Sequence, residues 1–151
     1  MSTTPKEQLL EEALLKLIKK DPSLITKLGV MPEVCLAAVK QDGYVIEYLT
    51  DAQRTPDVCL AAVHENGYVI EYLTEAQRTP EVCLAAVQRY GVAIYYLSES
   101  QRTPEVCLAA FQQHDQIIQL LTPDQITRMR EYESQLAQES EEEPVHEQAK
   151  G

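Results

Sequence analysis

The hydrophobic residues of this chain recur in one pattern four times in succession. Each copy opens with the apolar run Val-Cys-Leu-Ala-Ala, and a second run follows in which an isoleucine precedes a leucine by three positions. The copies repeat every 24 residues without insertions, over residues 31–54, 55–78, 79–102 and 103–126. A fixed period of this length predicts tandem structural repeats.

Local signals inside each copy predict two short helices. In the second copy Thr55 is suited to the N-cap and Pro56 to the first helical position. We expect this first helix to stop at Gly67 in a left-handed conformation. The following residues, YVIEYL, predict a second helix, and after it Thr74 and Gln77 have the spacing of a capping box.

Neighbouring copies are expected to stack, because one small helical hairpin cannot bury its own apolar face. The sequence therefore predicts an all-α fold, a right-handed α-solenoid of four 24-residue two-helix repeats with helical caps. In this interpretation residues 1–30 form N-terminal capping helices and residues 127–138 form a C-terminal capping helix. The acidic residues 139–151 are too polar to pack a core, which predicts a disordered tail.

The negative net charge of the chain disfavours some classes of binding partner. The 151 residues carry a net charge of −11, which repels the phosphates of nucleic acids and anionic membrane surfaces. The apolar runs are far shorter than the roughly 20 residues that span a bilayer. Acids also stand near the N-terminus, where a secretory signal would be apolar. We expect no nucleic-acid partner, no membrane insertion and no export by the general secretory route.

The cysteines occupy one equivalent position in each copy. Equivalent positions on stacked helices lie about 8–10 Å apart, whereas a disulfide needs Cα atoms within about 7 Å. A linear row also cannot surround one zinc ion. We expect small buried apolar side chains with reduced thiols. These residues are Cys35, Cys59, Cys83 and Cys107.

The sequence shows no familiar catalytic or cofactor-binding motif. The histidines His64, His114 and His146 lack a metal-binding spacing, and the five glycines are too dispersed for a phosphate-binding loop. We therefore expect no enzyme activity, no cofactor and no metal. An enzyme with an unrecognised site, a cleft centred on His64 or His114, is kept as an alternative.

An arginine ends each of the first three copies, at Arg54, Arg78 and Arg102. Each precedes a Thr-Pro pair, and we expect each to bridge to an acid of the next copy, such as Asp57 or Glu81. The alternative is a row of arginines that binds an acidic ligand.

Positions that vary between the copies are candidates for contact with a partner. The third copy differs most, and its Arg89, Tyr90 and Tyr95 form the preferred contact patch, because tyrosine and arginine are enriched in interface hot spots. Packing of Tyr95 on a neighbouring hairpin is the alternative. Tyrosines at one repeated position are expected to be framework: Tyr48, Tyr72 and Tyr96. Further candidate protein-binding residues are His64, Glu71, His114 and Gln119.

The repeated motif Leu-Ala-Ala-Val, followed by glycine four residues later, is present at 36–39, 60–63 and 84–87. The fourth copy departs from it at Phe111 and Asp115. The motif resembles a bacterial family of tandem helical hairpins that is classed as a domain of unknown function and occurs in Legionella-type intracellular bacteria. The resemblance implies a helical repeat fold and no particular reaction.

The acidic tail resembles the glutamate-rich C-terminal signal of proteins that Legionella-type bacteria inject into host cells by type IV secretion. The residues that carry this resemblance are Glu139, Glu141, Glu142 and Glu143. The alternative is a solvated acidic tail without a signal.

We expect a non-catalytic protein–protein interaction module, a small secreted bacterial effector or a regulator of another effector. Its partner would be a host protein or another effector, and it would be translocated from the bacterial cytoplasm into the host cytoplasm. One alternative is a bacterial cytosolic adaptor or inhibitor that stays in its own cell. A monomer is expected, with an end-to-end oligomer as the alternative.

Overall fold

The computed structural model describes residues 4–27 and 31–142, and within these ranges the chain is helical and has no strand. The α-helices are α1 (Pro5–Lys20), α2 (Leu24–Lys27), α3 (Pro32–Gln41), α4 (Pro56–Glu65), α5 (Pro80–Arg89), α6 (Pro104–Gln113) and α7 (Pro123–Glu142). The 3-10 helices are Gly43–Tyr48, Gly67–Tyr72, Gly91–Tyr96, Glu99–Gln101 and Asp115–Leu120. The all-α prediction is confirmed.

Each 24-residue copy, called a unit here, contains one α-helix followed by one six-residue 3-10 helix, and the third unit has a further 3-10 helix, Glu99–Gln101. Two helices per unit are confirmed, but the second is a 3-10 helix and not an α-helix. The residue between the two helices of a unit is extended, as at Asn66 with φ −147°. Few residues therefore remain for the second helix before the next unit begins. A short segment satisfies its backbone better with i→i+3 bonds.

The predicted caps are confirmed. The Thr55 hydroxyl accepts a hydrogen bond from the Val58 amide at 3.3 Å, and Pro56 occupies the first turn of α4. Thr74 and Gln77 form the capping pattern, since the Thr74 amide donates to the Gln77 side chain at 3.0 Å and the Gln77 amide donates back at 3.3 Å. These bonds satisfy amides that a helix start leaves unpaired.

The glycine of each of the first three units has a different role from the predicted one. Gly67 is the first residue of a 3-10 helix, and it does not adopt the left-handed conformation expected of a helix stop. A Cβ atom there would lie 2.6 Å from the Ala86 carbonyl oxygen of the next unit. Gly43 is equally close to the Ala62 carbonyl oxygen, at 2.7 Å. Glycine is therefore required by the close approach of the following α-helix.

Consecutive units pack against one another in chain order. Helices α3, α4, α5 and α6 form contacts from one unit to the next, α7 packs on α6, and α1 packs on α3. The 3-10 helix of each of the first three units also contacts the α-helix of the unit that follows. The isoleucine and leucine positions of the predicted core are buried in the first three units: Ile46, Leu49, Ile70, Leu73, Ile94 and Leu97.

Helix α7 extends beyond the predicted C-terminal cap. It runs from Pro123 to Glu142, so residues 139–142, predicted to be disordered, are helical. Alanine, glutamine and glutamate are good helix formers, and the Ser140 hydroxyl donates to the Ala137 carbonyl at 2.8 Å. Met129 anchors the helix in the core with no exposed surface. The rest of the predicted tail, 143–151, lies outside the described residues.

The repeated arginines bridge units, but their partners are backbone carbonyls instead of the expected acids. Arg54 donates from Nε to the Ile46 carbonyl at 3.1 Å and from Nη1 to the Tyr72 carbonyl of the next unit at 2.6 Å. Arg78 repeats this pattern one unit later. The Ile46 carbonyl also accepts from the Leu49 amide at 3.1 Å, so Arg54 adds a second, charge-assisted bond to it and extends to the Tyr72 carbonyl at the end of the next 3-10 helix.

The row of arginines changes at both ends of the described array. Arg102 donates to the Leu120 carbonyl at a long 3.5 Å, and its buried Nε has no partner among the described residues. The equivalent position of the fourth unit is Ile126, which packs against the core. At the other end, the Thr26 hydroxyl donates to the Tyr48 carbonyl, the counterpart of the carbonyls bound by Arg54 and Arg78.

Arg54→Met is expected to lower the free energy of unfolding by about 2 kcal/mol, because it removes charge-assisted hydrogen bonds to carbonyls of two units. Arg102→Met is the matched control, and its loss is expected to stay below about 1 kcal/mol because Arg102 makes one long bond. Urea unfolding followed by circular dichroism measures both. Equal losses would contradict the bridging role of Arg54.

Candidate functional site

The outward side chains of the 3-10 helices form one tyrosine-rich surface. Residues three apart lie over one another on a 3-10 helix, so Tyr44 aligns with Glu47 and Tyr68 with Glu71. The 3-10 helices of the first three units contact one another in order, which places these pairs side by side. We call this the tyrosine surface: Tyr44, Glu47, Tyr48, Tyr68, Glu71, Tyr72, Tyr95 and Tyr96.

Five of the six tyrosines of this surface are exposed, and the sixth, Tyr72, is partly buried against the core. Tyr95 is 58% exposed, Tyr44 is 46% exposed and Tyr48 is 40% exposed. Tyr68 and Tyr96 follow at 38% and 37%. Buried residues such as Ile46 and Ile70 pack the inner side of the 3-10 helices into the core, and the tyrosine rings lie outside this packed layer.

Glu71 joins neighbouring units of the tyrosine surface. Its hydrogen bond and negative charge raise the pKa of the Tyr96 hydroxyl. Partial burial, followed by the charges of Glu47 and Glu71, raises the pKa of the Tyr72 hydroxyl. Both phenols are therefore neutral at physiological pH, and the carboxylate lies among aromatic rings.

Two members of the predicted contact patch meet at the edge of this surface. Tyr90 stacks on Tyr68 of the preceding unit, with ring centroids 4.9 Å apart and planes at 22°. The Arg89 guanidinium lies 5.7 Å from the Tyr90 ring centroid. Tyr95, the third member, lies on the following 3-10 helix and belongs to the tyrosine surface. Its large exposure disfavours the alternative that it packs on a neighbouring hairpin.

The residue before the 3-10 helix is Asp42 or Asn66 in the first two units and Tyr90 in the third, where the side chain stacks on Tyr68. In the first two units Asp42 and Asn66 accept hydrogen bonds from the amides two residues on, each at 3.0 Å. Tyr90 makes no such cap. The Gln113 side chain of the next unit accepts from the Gly91 amide at 2.7 Å, one residue before the position that is capped in the first two units.

The remaining candidate residues do not form one site. Glu71 and Gln119 occupy the same position of their 3-10 helices, and Glu71 is part of the tyrosine surface. His64 is exposed on the last turn of α4, and His114 is exposed just after α6. His146 and Glu143 lie outside the described residues, while Glu139, Glu141 and Glu142 are exposed at the end of α7.

Sequence reasoning missed most of the tyrosine surface. Tyr44 and Tyr68 were not singled out, and Tyr48, Tyr72 and Tyr96 were assigned to the framework. The framework role is correct for the backbone, since Arg54 and Arg78 bind the Tyr72 and Tyr96 carbonyls. The sequence does contain outward side chains spaced three residues apart, which could have indicated this surface. That spacing aligns side chains on one face only when the segment is known to be a 3-10 helix.

The four cysteines are buried and reduced in the described structure, as their equivalent positions in the four copies predicted. Burial raises the pKa of each thiol, and that of Cys83 to about 11. The Cys83 Sγ lies 3.5 Å from the Arg78 carbonyl oxygen, close to the arginine that bridges the units. Residues 4–27 and 31–142 contain no group of three or more His, Cys, Asp or Glu side chains arranged for a metal.

The surface of the described residues includes two open grooves. One lies between α1 and α3 and includes Leu15, Ile18 and Val45. The other lies beside α7 and includes Arg102, Asp124 and Arg128, where Arg128 is paired with Asp124 at 3.0 Å. Neither His64 nor His114 lines either of these grooves in the described part of the chain.

Comparison with known protein families gives a match in the first two of the four repeated units. A family model described as a domain of unknown function, DUF4116, matches residues 32–78. The match begins at the first residue of α3 and ends at Arg78, so it covers almost all of the first two units. No curated protein and no solved structure matches the chain. A match to a domain of unknown function is thus found at residues 32–78, within a chain whose described residues form helices and no strand.

Among residues 4–27 and 31–142, every helix is too short or too polar to cross a membrane.

Alkaline pH is expected to destabilise the fold through the thiols. Because burial raises the pKa of Cys83 from 9.0 to about 11, the folded chain holds this proton more tightly than the unfolded chain. The resulting stability is complete below pH 9.0 and is lost as the pH rises towards about 11. Urea unfolding from neutral to alkaline pH measures this loss. In Cys83→Ala the loss should be shallower, and an unchanged pH dependence would be inconsistent with a thiol contribution.

Proposed function

We propose that the chain is a short right-handed α-solenoid that acts as a non-catalytic protein-interaction module, with the tyrosine surface as its contact. One observation carries this proposal: exposed tyrosines recur on consecutive units whose inward positions are buried and nearly invariant. The solenoid is supported by the unit-to-unit contacts of α3 to α6. We propose that the protein is a monomer and that its partner is another protein.

Tyrosine suits this role for physical reasons. Its ring contributes a large contact area, its side chain has few rotatable bonds, and its hydroxyl remains available for hydrogen bonding. On the tyrosine surface the rings stand on short helices fixed by buried isoleucines, so little conformational entropy is lost on binding. These features favour a contact surface over a catalytic cleft.

The test is capture of a partner by the full chain and by two matched double variants. Tyr44→Ser with Tyr95→Ser removes the two most exposed tyrosines, and Lys40→Ser with Gln88→Ser alters exposed ends of α3 and α5. A partner is identified by mass spectrometry from host-type and bacterial lysates, and its affinity for the purified variants is then measured. We expect at least about a tenfold loss for the tyrosine variant and little change for the control.

Circular dichroism confirms that both variants fold. Equal binding by the tyrosine variant and the wild type would place the contact elsewhere. Failure of the wild type to bind any protein would overturn the interaction module and favour self-assembly or an unrecognised enzyme site.

We further propose that the protein is a secreted bacterial effector or a regulator of one. The support is the resemblance of the acidic tail to a type IV secretion signal, whose Glu139, Glu141 and Glu142 are exposed at the end of α7. A bacterial cytosolic adaptor or inhibitor is the alternative, and it needs no such signal.

A reporter fused to residues 127–151 separates these two possibilities in a bacterium with a type IV secretion system. We expect delivery of the reporter into the host cell and reduced delivery after Glu139→Gln, Glu141→Gln and Glu142→Gln together. Retention of the wild-type fusion in the bacterium would reject the effector and favour the adaptor. The interaction module itself does not depend on this outcome.

A further inference from the structure

We infer that the tyrosine surface binds an extended, basic segment of a partner protein, in which Arg or Lys side chains contact the rings and the glutamates. This inference rests on the proposed interaction module and specifies the chemistry of its partner. Three features of the described residues support it: the charge of the surface, its aromatic rings, and the regular spacing of its units.

The charge of the tyrosine surface favours cations. Glu47 and Glu71 are exposed on it, within a chain of net charge −11. The nearby arginines are already engaged, because Arg54 and Arg78 direct their guanidinium groups to carbonyls at the ends of the 3-10 helices. Within the described residues, neither carboxylate is paired with these arginines, and Glu71 accepts hydrogen bonds from neutral tyrosine hydroxyls, so both keep a negative charge for an incoming cation.

The rings add a second attraction for the same charge. Cations bind the faces of tyrosine rings through the ring quadrupole, and arginine does so especially often. The described residues include cation–ring contacts of this kind: Arg89 lies 5.7 Å from the Tyr90 ring centroid and Arg130 lies 4.9 Å from the Phe111 ring centroid. Glu71, placed beside Tyr72 and Tyr96, would bind the same guanidinium that stacks on a neighbouring ring.

The spacing of the units selects an extended segment. Packed helices lie about 8–10 Å apart, and three residues of an extended chain cover about 10 Å. A basic residue at every third position would therefore meet Glu47 in the first unit and Glu71 in the second. In the third unit the equivalent position is Tyr95, which offers a ring without a carboxylate.

The charge requirement is tested with a fluorescein-labelled nine-residue peptide that has arginine at every third position and serine elsewhere. Fluorescence polarisation measures its binding to the full-length chain. We expect Glu47→Gln with Glu71→Gln to weaken binding about fivefold to tenfold. Glu81→Gln with Glu105→Gln makes the same change in net charge at exposed positions of α5 and α6, and it should leave binding nearly unchanged.

The same peptide with citrulline in place of arginine keeps the shape but loses the charge, and it should bind about tenfold more weakly than the arginine peptide. Equal weakening by the two glutamate pairs would show general charge attraction and would overturn the inference. Equal affinity of the citrulline and arginine peptides would overturn it as well.

An unbiased peptide-display selection separates this inference from the proposed function. The wild-type chain is the bait, and the Tyr44→Ser, Tyr95→Ser variant removes peptides that bind elsewhere. Enrichment of peptides with spaced Arg or Lys supports the inference. Enrichment of neutral or acidic peptides overturns the basic partner and leaves the interaction module in place. Recovery of no surface-dependent peptide overturns both.

Discussion

No unit of this chain completes its own core, so every unit depends on the α-helix that follows it. The closest point of that dependence is the glycine that opens the six-residue 3-10 helix of each of the first three units, where the next unit's carbonyl oxygen leaves little space for a Cβ atom. The bridging arginines use the same proximity, because Arg54 reaches carbonyls at the ends of two consecutive 3-10 helices. Burial of Cys59 and Ile70 follows from this stacking.

The sequence was sufficient to predict the units, their caps and their buried positions, because repetition and capping are local patterns. Thr55 and Pro56 identify the start of α4 from their chemistry alone. The 3-10 form of the second helix was not predictable, since YVIEYL has an apolar pattern compatible with either helix type. The reason for Gly67 and the partners of Arg54 depend on atoms of the next unit, which one unit's pattern does not contain.

The candidate site was only partly predicted, for a related reason. Comparison of the copies finds residues that differ, and so it selected Arg89, Tyr90 and Tyr95. Tyr44 and Tyr68 are identical between the first two units, which looks like framework in such a comparison. Their exposure shows that an outward position can also be repeated when every unit presents the same chemistry. Repetition therefore marks both a core and a surface, and only the three-dimensional placement separates them.

The ends of the arginine row constrain how such a chain could change in length. Thr26 supplies the hydrogen bond to the first carbonyl of the row, and Ile126 replaces the last arginine with an apolar contact to the core. A duplicated segment inserted between the second and third units would meet matching carbonyls, glycines and guanidinium groups on both sides. The same segment joined before Thr26 or after Ile126 would not meet this matching set of groups. Growth of the array by gene duplication is thus compatible with the interior of the protein and opposed at its termini.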